Sequence, residues 1–230
     1  MRCSAILIRG CDKVKMLELF AGTSSVGRVF KAHGWEVYTV DWDEQFDVTL
    51  HADIGSLTVD DCIKLCGGRP DVIWISFPCE TYSVAAMGHH RRKNKETGEL
   101  DPQTDYARMC DRVNAHVLEL IEELSPKYFF IENPRAGLRT MRFMTERERD
   151  GFMVRYPTTY CQYGDSRMKP TDLWTNHPNP RFKTPCRYGD PCHERAPRGS
   201  KCGTQAIKGA KDRARIPVRL CEHVYEICQE

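Results

Sequence analysis

Two residues in this sequence stand where chemistry is done. Cys79 follows a strongly apolar stretch, Val72 to Phe77, in the run Ser76-Phe77-Pro78-Cys79-Glu80-Thr81-Tyr82-Ser83. Glu132 closes a second apolar stretch, Phe130-Ile131-Glu132-Asn133-Pro134. A cysteine at the carboxyl end of a buried strand can act as a thiolate nucleophile when its surroundings lower its pKa. A carboxyl walled by apolar neighbours tends to keep its proton and can serve as a general acid. For Cys79 alone, a buried structural cysteine is an equally good reading. Paired with Glu132 on a neighbouring strand, the two would face one pocket.

The elements that must position this pair follow from periodicity. Val14 to Phe20, Glu36 to Val40, Val72 to Phe77 and Tyr128 to Ile131 read as buried strands, and His51-Ala52-Asp53-Ile54 would end another. Ser24 to His33 and Leu57 to Leu65 read as helices. So does Thr104 to Leu124, with Val113, Val117, Leu120, Ile121 and Leu124 at helical spacing. Alternating strands and helices imply an α/β fold with a mostly parallel sheet and helices on both faces. Residues 85–105 are polar, basic at the start, and read as a long mobile loop. Residues 177–215 are rich in Pro, Gly, Arg, Lys and Cys without periodicity, a small irregular appendage. A final helix is expected from Val218 to Cys228. The expected organisation is a catalytic domain over 1–176, the appendage over 177–215, and a C-terminal segment, 216–230, packing back on the domain.

Bulk composition restricts the class further. The chain has 230 residues, 40% of them hydrophobic, enough for one substantial core, and 34 Lys+Arg against 32 Asp+Glu. The balance neither demands nor excludes a nucleic-acid partner. Twelve cysteines without a signal peptide or membrane-length apolar run suggest a reducing intracellular setting rather than secretion. The cytoplasm of a bacterium or of a virus-infected cell would fit.

The first strand runs into Phe20-Ala21-Gly22-Thr23-Ser24. A small-residue turn between strand and helix lets a ligand approach the backbone closely, although an ordinary turn has the same composition. It is not GxGxxG, which argues against a dinucleotide. Asp41-Trp42 ends the second strand about 20 residues later, placed to hydrogen-bond ribose hydroxyls. With Asp53 in the same crevice, the set suits an adenosine-type cofactor.

Phe20-Ala21-Gly22, Pro78-Cys79 with Ser83, and Glu132-Asn133 resemble, in order and spacing, the signature blocks of the C5-cytosine DNA methyltransferase family. The resemblance covers residues 14–176, with an echo at Arg213 to Cys228. Small virus- or phage-type members look most similar, particularly around Gln162-Tyr163-Gly164 and Leu173-Trp174-Thr175-Asn176. It implies a Rossmann-like S-adenosylmethionine-dependent methyltransferase fold. It also implies methyl transfer to C5 of a cytosine flipped out of duplex DNA, with Cys79 bonded covalently to C6 and Glu132 on N3. Phe20, Ala21, Gly22, Thr23, Asp41, Trp42, Asp53, Ile54 and Pro78 would line the S-adenosylmethionine site. Ser83, Asn133, Arg91, Arg92, Arg167 and Lys169 would contact substrate, the loop arginines at phosphates.

The sequence departs from the family pattern in three places. Where the family has two arginines, Lys169 and Thr171 align, with Arg167 nearby, so the residue holding the base stays open between Arg167 and Lys169. Pro134 replaces the usual valine after Glu-Asn. The appendage is shorter than a family target-recognition domain, which implies short or relaxed sequence specificity or a separate specificity partner. It carries Cys186, Cys192, His193 and Cys202, four soft donors within seventeen positions. Zinc could organise them, but paired CxxC knuckles are missing, and reduced cysteines in a basic loop are the stronger reading. Arg195, Arg198, Lys201, Lys208, Lys211, Arg213 and Arg215 form a basic cluster suited to a nucleic-acid backbone or to a merely soluble surface.

Rival readings are a cytosine-C5 methyltransferase acting on tRNA, by the same chemistry, and a catalytically silent nucleic-acid-binding module. An amino-group methyltransferase is rejected, since Asn133-Pro134-Arg135 lacks the second proline and the aromatic of that class. A dehydrogenase has fold-level support only.

Overall fold

The structure is a computed structural model and describes residues 13–194 and 209–230. A seven-stranded sheet runs through it, formed by β1 (Lys15–Leu19), β2 (Glu36–Asp41), β3 (Leu50–His51), β4 (Val72–Ser76), β7 (Tyr128–Pro134), β8 (Val154–Thr159) and β9 (Pro170–Thr175). Their order is β3-β2-β1-β4-β7-β9-β8. The first five are parallel, whereas β9 and β8 run antiparallel at one edge. Strand order reverses between β1 and β4, and open α/β sheets bind ligands at the carboxyl ends of strands beside such a reversal.

The apolar runs read as buried strands because both faces of the sheet are covered. Along β4, Ile73 and Ile75 enter one core while Val72 and Trp74 enter the other. The first core is closed by α2 (Val59–Cys66), α4 (Asp105–Leu124) and α5 (Arg142–Arg149), through residues such as Cys62, Val117, Ile121 and Met144. The second is closed by α1 (Ser25–Ala32) and the C-terminal α7 (Val218–Cys228), through Val26, Phe30, Leu220 and Val224. Between them lies a short helix, α6 (Ala210–Ala214), leading into α7. Helix starts obey local chemistry: Thr58 and Asp61 form a reciprocal capping box on α2, and the Thr104 hydroxyl accepts the Ala107 amide at α4. Among the described residues no helix is long and apolar enough to cross a membrane.

Residues 85–105 depart from the expected mobile loop. They form a one-turn helix, α3 (Met87–His90), and a small antiparallel hairpin of β5 (Arg91–Lys93) and β6 (Leu100–Pro102). The anchor is Arg91, 3% exposed. Its guanidinium donates to the Thr81 carbonyl at 3.0 Å and to both carboxylate oxygens of Asp111 at 2.7 and 3.0 Å, and it stacks over the Tyr82 ring. A run of basic residues gives no sequence signal that one of them points inward.

Candidate active site

The parallel register sets Ser76 on β4 opposite Glu132 on β7, so the chain leaving β4 carries Cys79 past the tip of the strand that presents Glu132. Asn133 fastens the two tips together, its Nδ2 donating to the Phe77 carbonyl at 2.9 Å in a buried position. Cys79 then opens a turn in which its carbonyl accepts the Tyr82 and Ser83 amides at 3.1 and 2.8 Å. The Ser83 hydroxyl turns to the Glu80 carbonyl at 3.4 Å.

Glu132 is buried, and two groups from the antiparallel edge hold it. The Tyr160 hydroxyl donates to its Oε1 at 2.8 Å, and Lys169 Nζ lies 3.8 Å from the same oxygen and 3.4 Å from the Tyr160 hydroxyl. Burial, with the Glu80 and Glu132 charges, pushes the Cys79 thiol up to about 12, while Lys169 pulls the other way. Cys79, Glu132 and Lys169 therefore form one electrostatic unit.

Of the two candidate base-holding residues, only Lys169 reaches this unit. Arg167 is 4% exposed and committed elsewhere, to Asp165 and to the carbonyls of Asp212, Arg213 and Arg215. It knits the segment before α7 to the sheet edge. Arg91, expected at phosphates, is the internal anchor described above, because Asp111 neutralises it inside the fold. Arg92 and Lys93 beside it are exposed. The Asn133 side chain is a clamp between strands, with its Oδ1 buried and unpartnered among the described residues.

The cofactor-end residues gather at the tips of β1, β2 and β3. Phe20, Gly22 and Ser24 all have left-handed backbone, at φ 54°, 47° and 52°. Gly22 pays no steric cost there, and the chain turns sharply into α1. Asp41 fixes the turn: its Oδ2 accepts the Gly22 amide at 2.9 Å and its Oδ1 the Asp43 amide at 3.0 Å. Each oxygen keeps a lone pair for another donor. Ala21 is buried and its amide donates to the Val40 carbonyl at 3.1 Å. The Thr23 and Ser25 hydroxyls lie 2.9 Å apart, and the buried Ser24 hydroxyl has no partner among the described residues. Trp42 is 70% exposed at the mouth of this turn. Asp53 is exposed and caps the Gly55 amide at 2.9 Å. Ile54 is 2% exposed and packs into the core with Leu17 and Val40, so it presents no free surface to a ligand. Pro78 is half-buried, and the Phe20 and Phe77 rings meet edge to face at 5.9 Å. A carboxylate with spare lone pairs, an exposed indole and an orphan hydroxyl around one backbone turn fit an adenosine-type ligand.

Sequence reasoning missed three groups. Tyr160 carried no signal, since its partner lies 28 positions away across the sheet edge. Glu18 is buried on β1 beneath the turn, where its Oε2 accepts the Gly27 amide at 2.8 Å. Its alternation with Leu17 and Leu19 looks like an ordinary strand. Cys161 sits with Cys186, Cys192 and His193.

The sheet order, the helices on both faces and the strand-tip site define a Rossmann-like methyltransferase fold. Residues 14–148 match the model of the C-5 cytosine-specific DNA methylases. The chain belongs to that family. It is 31% identical over 168 residues, 71% of each chain, to a protein of Frog virus 3 (isolate Goorha) named "Probable DNA (cytosine-5)-methyltransferase". Over 131 residues it is 25% identical to the type II methyltransferase M.HpaII of Haemophilus parainfluenzae, covering 54% of this chain but 32% of that protein. Among solved structures, the Entamoeba histolytica methyltransferase EhMeth superposes with a TM-score of 0.52 at 13% identity, over 76% of this chain and 57% of that one. The chain thus spans a third of the Haemophilus protein and little more than half of the Entamoeba structure.

Proposed function

We propose that this chain transfers a methyl group from S-adenosylmethionine to C5 of cytosine in DNA, with Cys79 as nucleophile. The observation that carries the reading is the joining of Cys79 and Glu132 on adjacent parallel strand tips, with Tyr160 and Lys169 holding Glu132. Asp41 would take the ribose hydroxyls, Trp42 would stack on the adenine, and the Phe20–Thr23 turn with Pro78 would hold the remainder. Bound there, S-adenosylmethionine supplies an electrophilic methyl group on sulfur.

With its thiol pushed up to about 12, Cys79 rests as the neutral thiol near neutral pH. The nucleophile is therefore generated with the base in place. Sulfur adds to C6 while the thiol proton passes to the Glu132 carboxylate and on to N3, so the step adds S–H across the ring without creating net charge. C5, now electron-rich, takes the methyl group in line, a step governed by positioning. Loss of the C5 proton to solvent and departure of sulfur with the N3 proton restore the Cys79 thiol and leave 5-methylcytosine. In duplex DNA the base must first leave the stack, at a cost of a few kcal/mol. The exposed Arg92 and Lys93 on the hairpin are available to neighbouring phosphates.

The test is incubation with S-adenosylmethionine and duplex DNA carrying 5-fluorocytosine, which has no C5 proton to lose. Wild type is expected to form a stable protein–DNA adduct, and Cys79→Ala to form none while still binding the cofactor. Adduct formation by Cys79→Ala, or methyl transfer to tRNA with none to DNA, would overturn the assignment.

A further inference from the structure

Outside the active site, one cluster of donors is unexplained by methyl transfer. Cys161, in the 3-10 turn Tyr160–Tyr163 that follows β8, meets Cys186, Cys192 and His193 of the irregular segment beyond β9. One ligand atom from each of the four lies within 4.8 Å of all the others. Cys161 Sγ is 3.1 Å from Cys186 Sγ and 3.6 Å from Cys192 Sγ, and His193 Nδ1 is 3.6 Å from both Cys186 Sγ and Cys192 Sγ. We infer that these four residues form a structural zinc site, closed by three thiolates and one imidazole, that pins the appendage to the edge of the catalytic sheet.

The geometry is that of a small tetrahedron. With zinc–sulfur bonds of about 2.3 Å and zinc–nitrogen bonds of about 2.0–2.1 Å, the edges come to about 3.8 Å between sulfurs and about 3.6 Å between sulfur and nitrogen. Both sulfur–nitrogen separations match. The sulfur pair at 3.1 Å is closer than that edge and well beyond the roughly 2.05 Å of a disulfide. A disulfide would use two of the four donors and leave the other two crowded against it. Four protein ligands leave no open position, as in structural rather than catalytic zinc sites.

The surroundings supply what thiolates need. The Thr159 hydroxyl lies 3.4 Å from Cys161 Sγ and accepts the Cys186 amide at 3.1 Å, while Gln162 Nε2 donates to Cys192 Sγ at 3.8 Å. His193 turns Nδ1 toward the sulfurs, and its Nε2 is buried without a partner among the described residues. The far end of the segment gains most from an anchor, because residues 184–194 contain no helix or strand and only Cys186 among them is buried. On binding, the three thiols lose their protons to solvent and three zinc–sulfur bonds form, so metal affinity rises with pH. The consequence reaches the active site through one peptide bond: Tyr160, whose hydroxyl holds Glu132, precedes the ligand Cys161.

The full chain, produced with zinc in the medium and dialysed against metal-free buffer, is expected to carry one zinc ion by elemental analysis. Cobalt(II) exchanged into wild type should give the visible ligand-field bands of tetrahedral thiolate coordination, a readout that needs no variant. Cys192→Ser and His193→Ala should lose most of the metal, whereas Cys62→Ser and Cys202→Ser should keep it. Wild type with less than about a tenth of an equivalent of zinc, with no tetrahedral cobalt spectrum, would overturn the proposal. Loss of zinc in Cys202→Ser would overturn this ligand set.

Discussion

Glu18 offers a quantitative test of the packing beneath the cofactor turn. It is 1% exposed on β1, and burial raises its carboxyl from the ordinary 4.5 to about 7, against the pull of the Gly27 and Val26 amides and of Arg28. A raised folded-state pKa means that the fold prefers the neutral carboxyl. The associated stability is fully present below about pH 4.5 and is lost as the pH rises through about 7. At 1.36 kcal/mol per pH unit, the carboxylate costs the folded state about 3 kcal/mol at pH 8 and under about 1 kcal/mol at pH 5. Glu18→Gln keeps an oxygen for the Gly27 amide and removes the charge. Urea unfolding, followed through the buried Trp74 and Trp174, should therefore show the variant gaining on wild type by about 2 kcal/mol between pH 5 and pH 8. The difference between the two proteins cancels every other titration, so only its slope matters. A difference independent of pH would refute the account of Glu18 as a buried, charge-averse carboxyl.

Lys169→Met removes a cation that lowers the Cys79 thiol, and alkylation of Cys79 at pH 9 should slow by roughly tenfold; an unchanged rate would dismiss the electrostatic unit. Arg91→Met leaves Asp111 without its buried partner and should cost about 3 kcal/mol in denaturant unfolding. Arg92→Met, by contrast, should leave stability alone and reduce the salt slope of DNA binding by about 1. The opposite pattern would mean that the hairpin is not anchored as described. Burial pushes Cys66 and Cys228 up to about 12 and Cys62 up to about 11. The stability held by these neutral thiols is intact below pH 9 and drains away as the pH climbs toward 11–12. The melting temperature of wild type should drop faster above pH 9 than that of Cys66→Ala, and parallel curves would contradict it.

The strands were legible wherever both faces of the sheet are covered, because Val72–Ile75 and Tyr128–Ile131 leave no polar alternation to confuse the reading. The helices at Ser25–Ala32, Asp105–Leu124 and Val218–Cys228 were legible from their period. The antiparallel pair β8 and β9 was not, since Val154–Thr159 is only partly buried at the sheet edge and Pro170–Thr175, though largely buried, mixes Pro, Thr and Asp with only two large apolar residues. Cys79 and Glu132 stood out because the carboxyl ends of parallel strands are where such sheets bind ligands. What escaped were the partners whose meaning is long-range. Arg91 belongs to Asp111 across 20 positions, and Tyr160 reaches Glu132 from the turn that follows β8. Cys161 lies 25 residues before the first cysteine of the appendage. Of the basic and cysteine-bearing stretch read as one appendage, residues 195–208, with Cys202, lie outside the described part of the structure.

The packing of α7 on α1 also bears on how the chain acquires its shape. Ile216 meets Ser25, and His33 pairs with Glu222, across some 190 positions. During synthesis Phe30, Trp74 and Phe130 on that face stay uncovered until the segment around Leu220 and Val224 has emerged from the ribosome. The opposite face is closed by α2, α4 and α5, all of which lie before residue 150. One side of the sheet can thus condense early while the other waits, exposing an apolar surface of the kind that invites aggregation or chaperone capture. A nascent chain halted before residue 216 should be the species at greatest risk.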